Sequence, residues 1–499
     1  MIRRLLVANR GEIAVRVIRA CRELGIETVA VCSDVDRRAL HAKLADVVVP
    51  IGPAPAIDSY LCAERLIEAA HTSGADAVHP GYGFLAENAG FAKACEDAGL
   101  IFVGPPASVI WQMGSKIESR VRAIEAGLPI VPGMTPEAQD DAALRAAAER
   151  VGFPLLVKAS AGGGGKGMRV VHTRKDLAEA FAAARHEAAG AFGDATLYLE
   201  RLLRRPSHVE VQVFGDAHGN VVHLFERDCS TQRRHQKIIE ESPAPWLSDT
   251  LRRRMGEAAV ALARHIGYRN AGTIEFLVEG RGDEAVFYFL EMNTRLQVEH
   301  PITEAVVGVD LVHAQLRVAS GEPLPWRQES LAQRGHAIEC RIYAEDPSTD
   351  FLPQAGLLAV YREPQGPGIR LDSGVVESDE VSIYYDPLLA KLVAAAETRE
   401  TARRRMLAAL RRFAVLGIKT NIPFLIRVLE HPRFVEAAID TSFLDREGQG
   451  LCAATVGPAL EAALAAAAAY DGQPAVRAAD ARAVIDPWNR LLGWRQGQS

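Results

Sequence analysis

The segment EMNTRLQVEHP, residues 291–301, carries polar side chains whose types and spacing could do chemistry. In an extended chain, alternate residues share one face. Glu291, Asn293, Arg295, Gln297 and Glu299 would then form a single polar row, opposite the apolar residues between them. The alternative is a set of charges on a solvated strand face, but an acid, amide, guanidinium, amide and acid in one row favours a functional surface.

A second acid extends this row. Glu275 lies in TIEFLVEG, and the following GRGDE turn predicts a hairpin that brings Glu275 near Glu291. Mg²⁺ typically binds one or two carboxylates and completes its shell with nucleotide phosphates. The two acids and the Asn293 amide therefore predict a magnesium site.

Cationic residues are dense in RDCSTQRRHQKIIEES, residues 227–242. Gln232, Arg233, Arg234, His235 and Lys237 lie between two candidate strands. One interpretation is an ordinary basic loop. The other is an anion clamp, because so many cations close to acidic metal ligands would suit a bound anion.

Five of the six residues 162–167 are glycine, within KASAGGGGKGMRVV. Neither common phosphate-binding motif fits this stretch. The Walker motif lacks its first glycine and its final Ser or Thr, and the dinucleotide fingerprint must open a helix. Here a strand-like segment follows instead. A strand–loop–strand flap over phosphates fits better, with Lys158 supplying a charge at its base; a simple hairpin tip is the alternative.

The elements that position these residues begin with alternating strands and helices. IRRLLVAN, a helix from Glu12 to Leu24 and the strand ETVAVCS form a β-α-β unit, and the pattern repeats. We therefore predict an α/β fold whose first domain is a doubly wound parallel sheet. Residues 208–293 contain four candidate strands with alternating polarity, which is typical of antiparallel pairing. A last α/β portion follows.

Composition excludes several classes of protein. The chain has 499 residues, 57 basic and 63 acidic, for a net charge of −6, and neither half is strongly basic. We expect no nucleic-acid partner. The seven cysteines are scattered and include no CxxC, which favours reduced thiols. No apolar run has the ~20 residues that a bilayer requires. We expect a cytoplasmic protein without a membrane anchor.

Taken together, the motifs resemble those of the biotin carboxylases, in the ATP-grasp superfamily. The resemblance runs in order from about residue 2 to 446. Its segments are ANRGEIA, HPGYGFLAEN, GGGGKGMRVV, ERDCSTQRRHQKIIEESPAP, FLEMNTRLQVEHP and GHAIECRIYAED. The chain looks most like the biotin carboxylase part of acyl-CoA carboxylase α chains. The resemblance implies an N-terminal domain at 1–112, an ATP-grasp domain at 113–330 with a lid at about 131–203, a C-terminal domain at 334–446, and a helical tail and linker at 447–499.

The resemblance also implies roles, residue by residue. Residues at the ATP-binding positions are Lys116, Lys158, Gly164, Gly165, Met168, Glu200, Leu202, His208, Gln232 and His235. Glu275, Glu291 and Asn293 would bind Mg²⁺ or Mn²⁺. Bicarbonate would contact Lys237, Arg295, Gln297 and Val298. Glu299 would be the general base, Arg341 would face the ureido oxygen of biotin, and Tyr82 would border the biotin pocket.

The implied reaction carboxylates biotin with bicarbonate and ATP, through carboxyphosphate, as half of an acyl-CoA carboxylase cycle. The implied partners are a biotin carboxyl carrier domain and a carboxyltransferase subunit, and the family leads us to expect a homodimer. Two alternatives are another ATP-grasp ligase and a non-catalytic nucleotide-binding regulator. The first would not be expected to carry RLQVEHP with QRRHQK, and the second should have lost Glu299, Lys237 or Arg295.

Biotin is carried in this family on the lysine of an MKM motif. No Met-Lys pair occurs in the sequence, so the carrier must be a separate protein or lie on a missing segment. The tail AVIDPWNRLLGWRQGQS resembles a linker leading out of the carboxylase module. We therefore expect the chain to be truncated, with an ordinary polar C-terminus as the alternative.

Overall fold

A computed structural model describes residues 2–134, 139–159, 168–192 and 195–452. The first sheet is parallel, with strand order β3-β2-β1-β4-β5. Its strands are β1 (Arg4–Val7), β2 (Glu27–Ser33), β3 (Val47–Gly52), β4 (Ala77–His79) and β5 (Ile101–Phe102). The helices of this portion are α1 (Gly11–Glu23), α2 (Leu40–Leu44), α3 (Ala63–Ser73), α4 (Ala89–Asp97), α5 (Ala107–Gly114) and α6 (Lys116–Glu125). The predicted doubly wound parallel sheet is confirmed.

Periodicity explains α1. Ile13, Val17, Ile18 and Cys21 recur at helical spacing and are all buried. They pack in one core with Leu5 of β1.

The second sheet has four strands in the order β6-β9-β7-β8. These are β6 (Gly133–Met134), β7 (Leu155–Ala159), β8 (Arg169–Val171) and β9 (Leu197–Arg201), with helices α7 (Asp141–Val151) and α8 (Leu177–Phe192). The strands β7 and β8, on either side of the glycine stretch, are antiparallel. The predicted strands of the flap are therefore present, whereas Gly164, Gly165 and the rest of residues 160–167 lie outside the described residues.

The third sheet has eight strands in the order β14-β13-β10-β11-β12-β15-β22-β20. Its strands are β10 (Ser207–Gly215), β11 (Val221–Arg233), β12 (Gln236–Ser242), β13 (Asn270–Glu279), β14 (Val286–Asn293), β15 (His336–Tyr343), β20 (Ile369–Ser373) and β22 (Leu388–Ala396). The helices α9 (Asp249–His265), α10 (His300–Val307) and α11 (Leu311–Ala319) pack against it. All neighbouring pairs in this sheet are antiparallel, as the alternating polarity predicted.

Short elements complete the C-terminal portion. The remaining strands are β16 (Glu345–Asp346), β17 (Leu352–Pro353), β18 (Gly356–Leu357), β19 (Val360–Arg362), β21 (Glu380–Val381) and β23 (Ala414–Leu416). The remaining helices are α12 (Arg399–Arg412), α13 (Ile422–Glu430), α14 (Pro432–Val435) and α15 (Phe443–Cys452). One-turn 3-10 helices lie at Asp34–Asp36, Ala56–Asp58, Arg174–Asp176, Gln328–Ser330 and Pro347–Thr349. Among the described helices, none is long and apolar enough to cross a membrane.

The described residues up to Cys452 belong to one compact unit. Hydrogen bonding continues from β12 to β15, across the predicted boundary near residue 330. The domain boundaries therefore stay predictions. Of the predicted tail, only the part up to Cys452 is described, where α15 begins before residue 447.

The basic segment proves not to be a loop. β11 continues to Arg233 and pairs with β12. Arg234 and His235 form the tight turn, with φ of 49° and 65°. Two consecutive residues with positive φ are typical of hairpin turns whose twist matches the strands. This hairpin holds Lys237 at a defined register, opposite Gln232.

Candidate active site

A cavity of about 770 Å³ collects most of the predicted site residues. Side chains from both the four-stranded and the eight-stranded sheet line it. Those predicted from the sequence are Lys116, Lys158, Met168, Glu200, Leu202, His208, Gln232, His235, Lys237, Glu275, Glu291, Asn293, Arg295, Gln297, Val298 and Arg341. Residues far apart in the chain thus share one cavity, although their individual roles stay predictions.

Glu275 and Glu291 lie directly opposite each other in the β13–β14 hairpin. The predicted hairpin is therefore present. The Glu275 carboxylate accepts from Asn293 Nδ2 at 2.8 Å and from Gln297 Nε2 at 3.2 Å, and it lies 3.1 Å from His208 Nε2. Burial opposes its charge, but Lys237 and His208 outweigh burial and hold the pKa of Glu275 well below its usual value. Glu275 is therefore ionised at neutral pH.

Glu291 has a different environment. Among the described residues it has no hydrogen-bond or ion-pair partner, and burial together with the charge of Glu275 raises its pKa. A divalent cation would relieve both effects, because it neutralises two carboxylates at once. The oxygen-rich donor set of Glu275, Glu291 and Asn293 therefore fits Mg²⁺ or Mn²⁺. Lys116 is the cation that most strongly opposes the raised pKa of Glu291. Burial lowers the pKa of Lys116, and the negative charge of Glu291 opposes that shift.

Lys237 lies at the centre of a cluster of three carboxylates. Its ammonium group donates to Glu210, to Glu275 at 2.8 Å and to Glu299 at 2.7 Å. Burial disfavours this charge, but the three acids outweigh burial and raise the pKa of Lys237 well above its usual value. Arg227, fully buried, donates to the other side of Glu210. The cluster is thus a buried network in which each described carboxylate has a cationic partner.

Glu299 is held between two cations and is fully buried. Its second oxygen accepts from Arg341 Nη2 at 3.1 Å. Burial raises its pKa, but Lys237 and Arg341 overcome burial and hold the pKa well below its usual value. Arg341 Nε donates to Glu240 at 2.6 Å. Burial lowers the pKa of Arg341, but the negative charge of Glu240 outweighs burial and raises this pKa well above its usual value. Glu299 is therefore an ionised carboxylate that does not itself line the cavity but binds two residues that do, Lys237 and Arg341.

The predicted extended row is wrong beyond Asn293, where β14 ends. Residues 294–299 form a turn because Thr294 N–H donates to Glu87 at 3.1 Å and His300 starts α10, with a proline at the first turn. Arg295 nonetheless reaches back, donating to Asn293 Oδ1 at 3.0 Å and to Gln297 Oε1 at 3.1 Å. The turn therefore brings these polar side chains together by another route.

Glu87 and Lys391 fix this turn from outside. Arg295 Nε donates to Glu87 at 2.9 Å, and Lys391 Nζ donates to the Val298 carbonyl at 2.9 Å. The Val298 N–H has no partner among the described residues. The Arg295 guanidinium, the Lys237 ammonium and the Val298 N–H beside one cavity are donors suited to a small oxyanion.

On the opposite wall, Lys158 of β7 and Arg120 of α6 both donate to the Glu200 carboxylate. Lys158 is only 6% exposed. Burial lowers the pKa of Lys158, but the negative charge of Glu200 outweighs burial, so this pKa is raised. Glu200 is opposite Leu156 in the β7–β9 pair. The Leu202 N–H donates to the Pro154 carbonyl at 3.1 Å, so Leu202 could contact a nucleobase only through its carbonyl or side chain.

Two histidines, His208 and His235, also line the cavity. Burial lowers the pKa of His235, whereas Glu275 outweighs burial and raises the pKa of His208. Tyr82 does not line the cavity among the described residues. It lies behind it, where Lys391 Nζ is 5.8 Å from the ring centre.

Sequence reasoning missed several residues of this site. Glu210, Glu240, Arg120 and Glu87 each bind a predicted site residue directly. Glu210 and Glu240 lie on interior strands among apolar residues. A charged residue at such a position requires a partner, and that signal could have identified both.

Comparisons with known proteins agree with this geometry. The family model "Biotin carboxylase, N-terminal domain" matches residues 1–110. "Carbamoyl-phosphate synthase L chain, ATP binding domain" matches residues 115–327, and "Biotin carboxylase C-terminal domain" matches residues 339–446. Together the three matches cover most of the chain.

Relatives of known sequence are about half identical to the chain over the aligned residues. The mitochondrial methylcrotonoyl-CoA carboxylase subunit alpha of Arabidopsis thaliana is 51% identical over 459 residues, 92% of this chain and 62% of the relative. The chain thus spans about six-tenths of that protein. The biotin carboxylase of Halalkalibacterium halodurans is 48% identical over 444 residues, 89% of this chain and 97% of the relative.

Solved structures lead to the same family. The biotin carboxylase domain dimer of the Hydrogenobacter thermophilus 2-oxoglutarate carboxylase, with MgADP, ADP and bicarbonate, has a TM-score of 0.87. It is 44% identical, covering 91% of this chain and all of that one. The Campylobacter jejuni biotin carboxylase has a TM-score of 0.86 at 45% identity, covering 89% and 99%. The chain belongs to the biotin carboxylase family of ATP-dependent ligases.

Proposed function

We propose that the chain carboxylates biotin, held on a carrier protein, with bicarbonate and ATP, giving N1-carboxybiotin, ADP and phosphate. The observation that carries this proposal is the position of Glu299, a buried and ionised carboxylate that binds Lys237 and Arg341, two residues that line the cavity. A base that is hydrogen-bonded to Lys237 is placed to deprotonate an anion that Lys237 also holds.

ATP would lie between the two sheets that line the cavity. Lys116 and Lys158 would contact its phosphates, with the proposed flap amides of Gly164 and Gly165. Lys158 donates to Glu200 in the structure, which leaves two of its three hydrogens for phosphate oxygens. Glu200, Leu202, Met168, His208, Gln232 and His235 would line the rest of the nucleotide site.

Glu275, Glu291 and Asn293 would hold Mg²⁺ or Mn²⁺. The bound ion would offset negative charge on the transferred phosphoryl group. The chain's own contribution is to pre-place two carboxylates opposite each other in one hairpin.

Bicarbonate would bind to Arg295, Gln297, Lys237 and the Val298 N–H. Glu299 would then take its proton, and the bicarbonate oxygen would attack the γ-phosphoryl group to give carboxyphosphate and ADP. The low pKa of Glu299 makes it a weak base while both cations bind it. Bicarbonate that draws Lys237 to itself would weaken that hold and raise the basicity of Glu299.

Carboxyphosphate would yield CO₂ and phosphate. The phosphate would accept the N1 proton of biotin, and N1 would then bond to the carbon of CO₂ to give N1-carboxybiotin. Arg341 would stabilise the negative ureido oxygen with a planar fork of donors, which lysine lacks. Its Nε is held by Glu240, so the orientation of the fork is fixed before biotin arrives. Tyr82 would border this pocket.

The test is ADP release with bicarbonate and free biotin supplied or omitted. We expect turnover to require both, and Arg341→Ala to abolish biotin-dependent turnover while the exposed control Arg334→Ala retains it. Turnover indifferent to biotin in the unmodified chain would instead indicate another ATP-grasp ligase.

We further propose that the biotin carrier and the carboxyltransferase act as partners, and that the chain forms homodimers in the cytoplasm. The A. thaliana relative is named as a mitochondrial subunit, and the H. thermophilus domain as a dimer. Sedimentation of the purified chain and cell fractionation test the last two proposals.

A further inference from the structure

Two buried carboxylates lie opposite each other behind Arg341. Glu240 of β12 pairs in register with Glu339 of β15, and both are fully buried. Directly opposed side chains in an antiparallel pair have Cβ atoms about 5 Å apart. Arg341 is two residues beyond Glu339 on the same face and donates to Glu240 Oε1 at 2.6 Å.

Most oxygens of this pair have no partner. Glu240 Oε2 and both carboxylate oxygens of Glu339 lack a hydrogen bond among the described residues. The cations nearby already have other acceptors. Lys391 Nζ binds the Val298 carbonyl and lies 3.2 Å from Glu12, and Arg341 donates to Glu299 as well as to Glu240.

The surrounding charges do not compensate two further negative charges. Lys391 on β22, Arg341 on β15 and Lys237 on β12 are the cations that act on the pair. The negative charge of Glu299, which lies just before α10, also acts on the pair and raises the pKa of both carboxyls. Two ionised carboxylates directly opposed and out of water would repel each other strongly, and such pairs retain one proton.

We propose that Glu240 and Glu339 share one proton, and that this hydrogen-bonded pair positions Arg341 at the active site. One carboxyl donates its proton to the other, which satisfies two of the three unpartnered oxygens. Burial raises the pKa of Glu339 well above its usual value and that of Glu240 to about 7, in agreement with a retained proton.

The positioning role rests on the proposed function. With one proton present, the pair carries a single charge, which binds Arg341 Nε while Arg341 Nη2 stays directed to Glu299. Loss of the proton would place a second negative charge behind Arg341. It would draw the guanidinium away from the cavity and weaken its hold on biotin.

The first test does not depend on function. Infrared spectra of the full chain at mildly alkaline pH should contain a carboxylic-acid carbonyl band that shifts in D₂O and is missing from Glu339→Gln. Should that variant fail to fold, Glu240→Gln removes the other member and should remove the same band. A wild-type spectrum without this band, or a band unchanged in both variants, would overturn the shared proton.

The second test measures kcat/KM for free biotin against pH. We expect wild type to lose activity on the alkaline side, and Glu339→Gln, a permanently neutral partner, to shift this limb upward by about one pH unit or more. Glu241→Gln is the matched control, because Glu241 is buried but faces His336 and Arg399. The inference fails if the wild type is active and Glu339→Gln and Glu241→Gln lose activity over the same alkaline pH range. An inactive wild type would refute the proposed function instead.

Discussion

Lys237 Nζ lies 2.7 Å from Glu299 Oε1, and in the same arrangement it donates to Glu210 and Glu275. An ammonium group has three hydrogens, so all of them are used. An anion can therefore bind Lys237 only by displacing one carboxylate. Because Glu299 is the proposed base, displacement there would couple anion binding to the release of the base.

Removing Lys237 should destabilise the fold as well as abolish turnover. Lys237→Met leaves three buried carboxylates without their shared cation, and we expect a loss of about 3–5 kcal/mol in the free energy of unfolding. Urea denaturation measures it. Lys93→Met is the control, because Lys93 pairs with Asp97 on the exposed surface and should cost less than about 1 kcal/mol. Equal losses in the two variants would contradict the buried network.

Glu291→Gln should separate stability from function. It removes a buried charge and its repulsion with Glu275, the two effects that raise the pKa of Glu291, so the metal-free protein should gain up to about 1 kcal/mol of stability. The Mg²⁺ concentration for half-maximal ATP turnover should rise at least about tenfold. Thermal unfolding and a metal titration measure the two effects. A loss of stability together with an unchanged dependence of turnover on Mg²⁺ would show that Glu291 is not a metal ligand.

Glu87 should matter for bicarbonate although it lies far from the turn in sequence. Its carboxylate accepts from Arg295 Nε and from the Thr294 N–H. Glu87→Gln should raise KM for bicarbonate by about 3- to 10-fold with a smaller change in kcat, because a charged hydrogen bond contributes about 1.5–3 kcal/mol and Glu87 is partly exposed. Steady-state kinetics test this, with the exposed Glu284→Gln as control. An unchanged KM would exclude this support.

The free energy of unfolding should fall at acid pH because His79 is buried in its neutral form. Burial lowers the pKa of His79 to about 4, and its ring contacts Gln315 at 3.2 Å. Between pH about 6.5 and about 4 the unfolded chain binds a proton that the folded chain does not, so stability declines as pH falls through this window. The decline from this group is roughly 3 kcal/mol. His79→Gln should flatten it in urea denaturation at stepped pH; a parallel pH dependence would refute the assignment.

Gly374 should not tolerate a side chain. A Cβ there would lie 2.5 Å from the Glu12 amide nitrogen and 2.8 Å from the Gly11 carbonyl carbon, both backbone atoms. Gly374→Ala should therefore cost about 1–3 kcal/mol. Gly190→Ala, in open space within α8, should instead stabilise by up to about 1 kcal/mol. Denaturation curves compare them, and a neutral Gly374→Ala would show that α1 can shift.

Local sequence patterns were sufficient to predict the helices and strands. They were not sufficient to predict the contacts between strands that are not neighbours in the sheet. The β13–β14 hairpin follows from alternation and a glycine-containing turn. The contact of Lys237 with Glu275 does not, because β12 and β13 are third neighbours in their sheet. In a flat sheet they would lie roughly 14 Å apart. Nothing in the local pattern predicts that the two long side chains meet across the intervening strands at 2.8 Å.

The same limit applies to the polar turn after Asn293. The spacing of Arg295 and Gln297 correctly suggested proximity, but the backbone that produces it is a turn held by Glu87 and Lys391. Neither residue is near in sequence. A pattern of alternate polar residues thus indicates which side chains belong together, while the tertiary partners decide how they meet.

The eight-stranded sheet has a consequence for how the chain could be divided. Family models place a division between residues 327 and 339, yet β12 and β15 hydrogen-bond across it. A fragment ending near residue 330 would leave β12 as an exposed edge, ready to pair with another chain. The ATP-binding portion is therefore not autonomous. Its solubility is tied to the portion that carries Arg341.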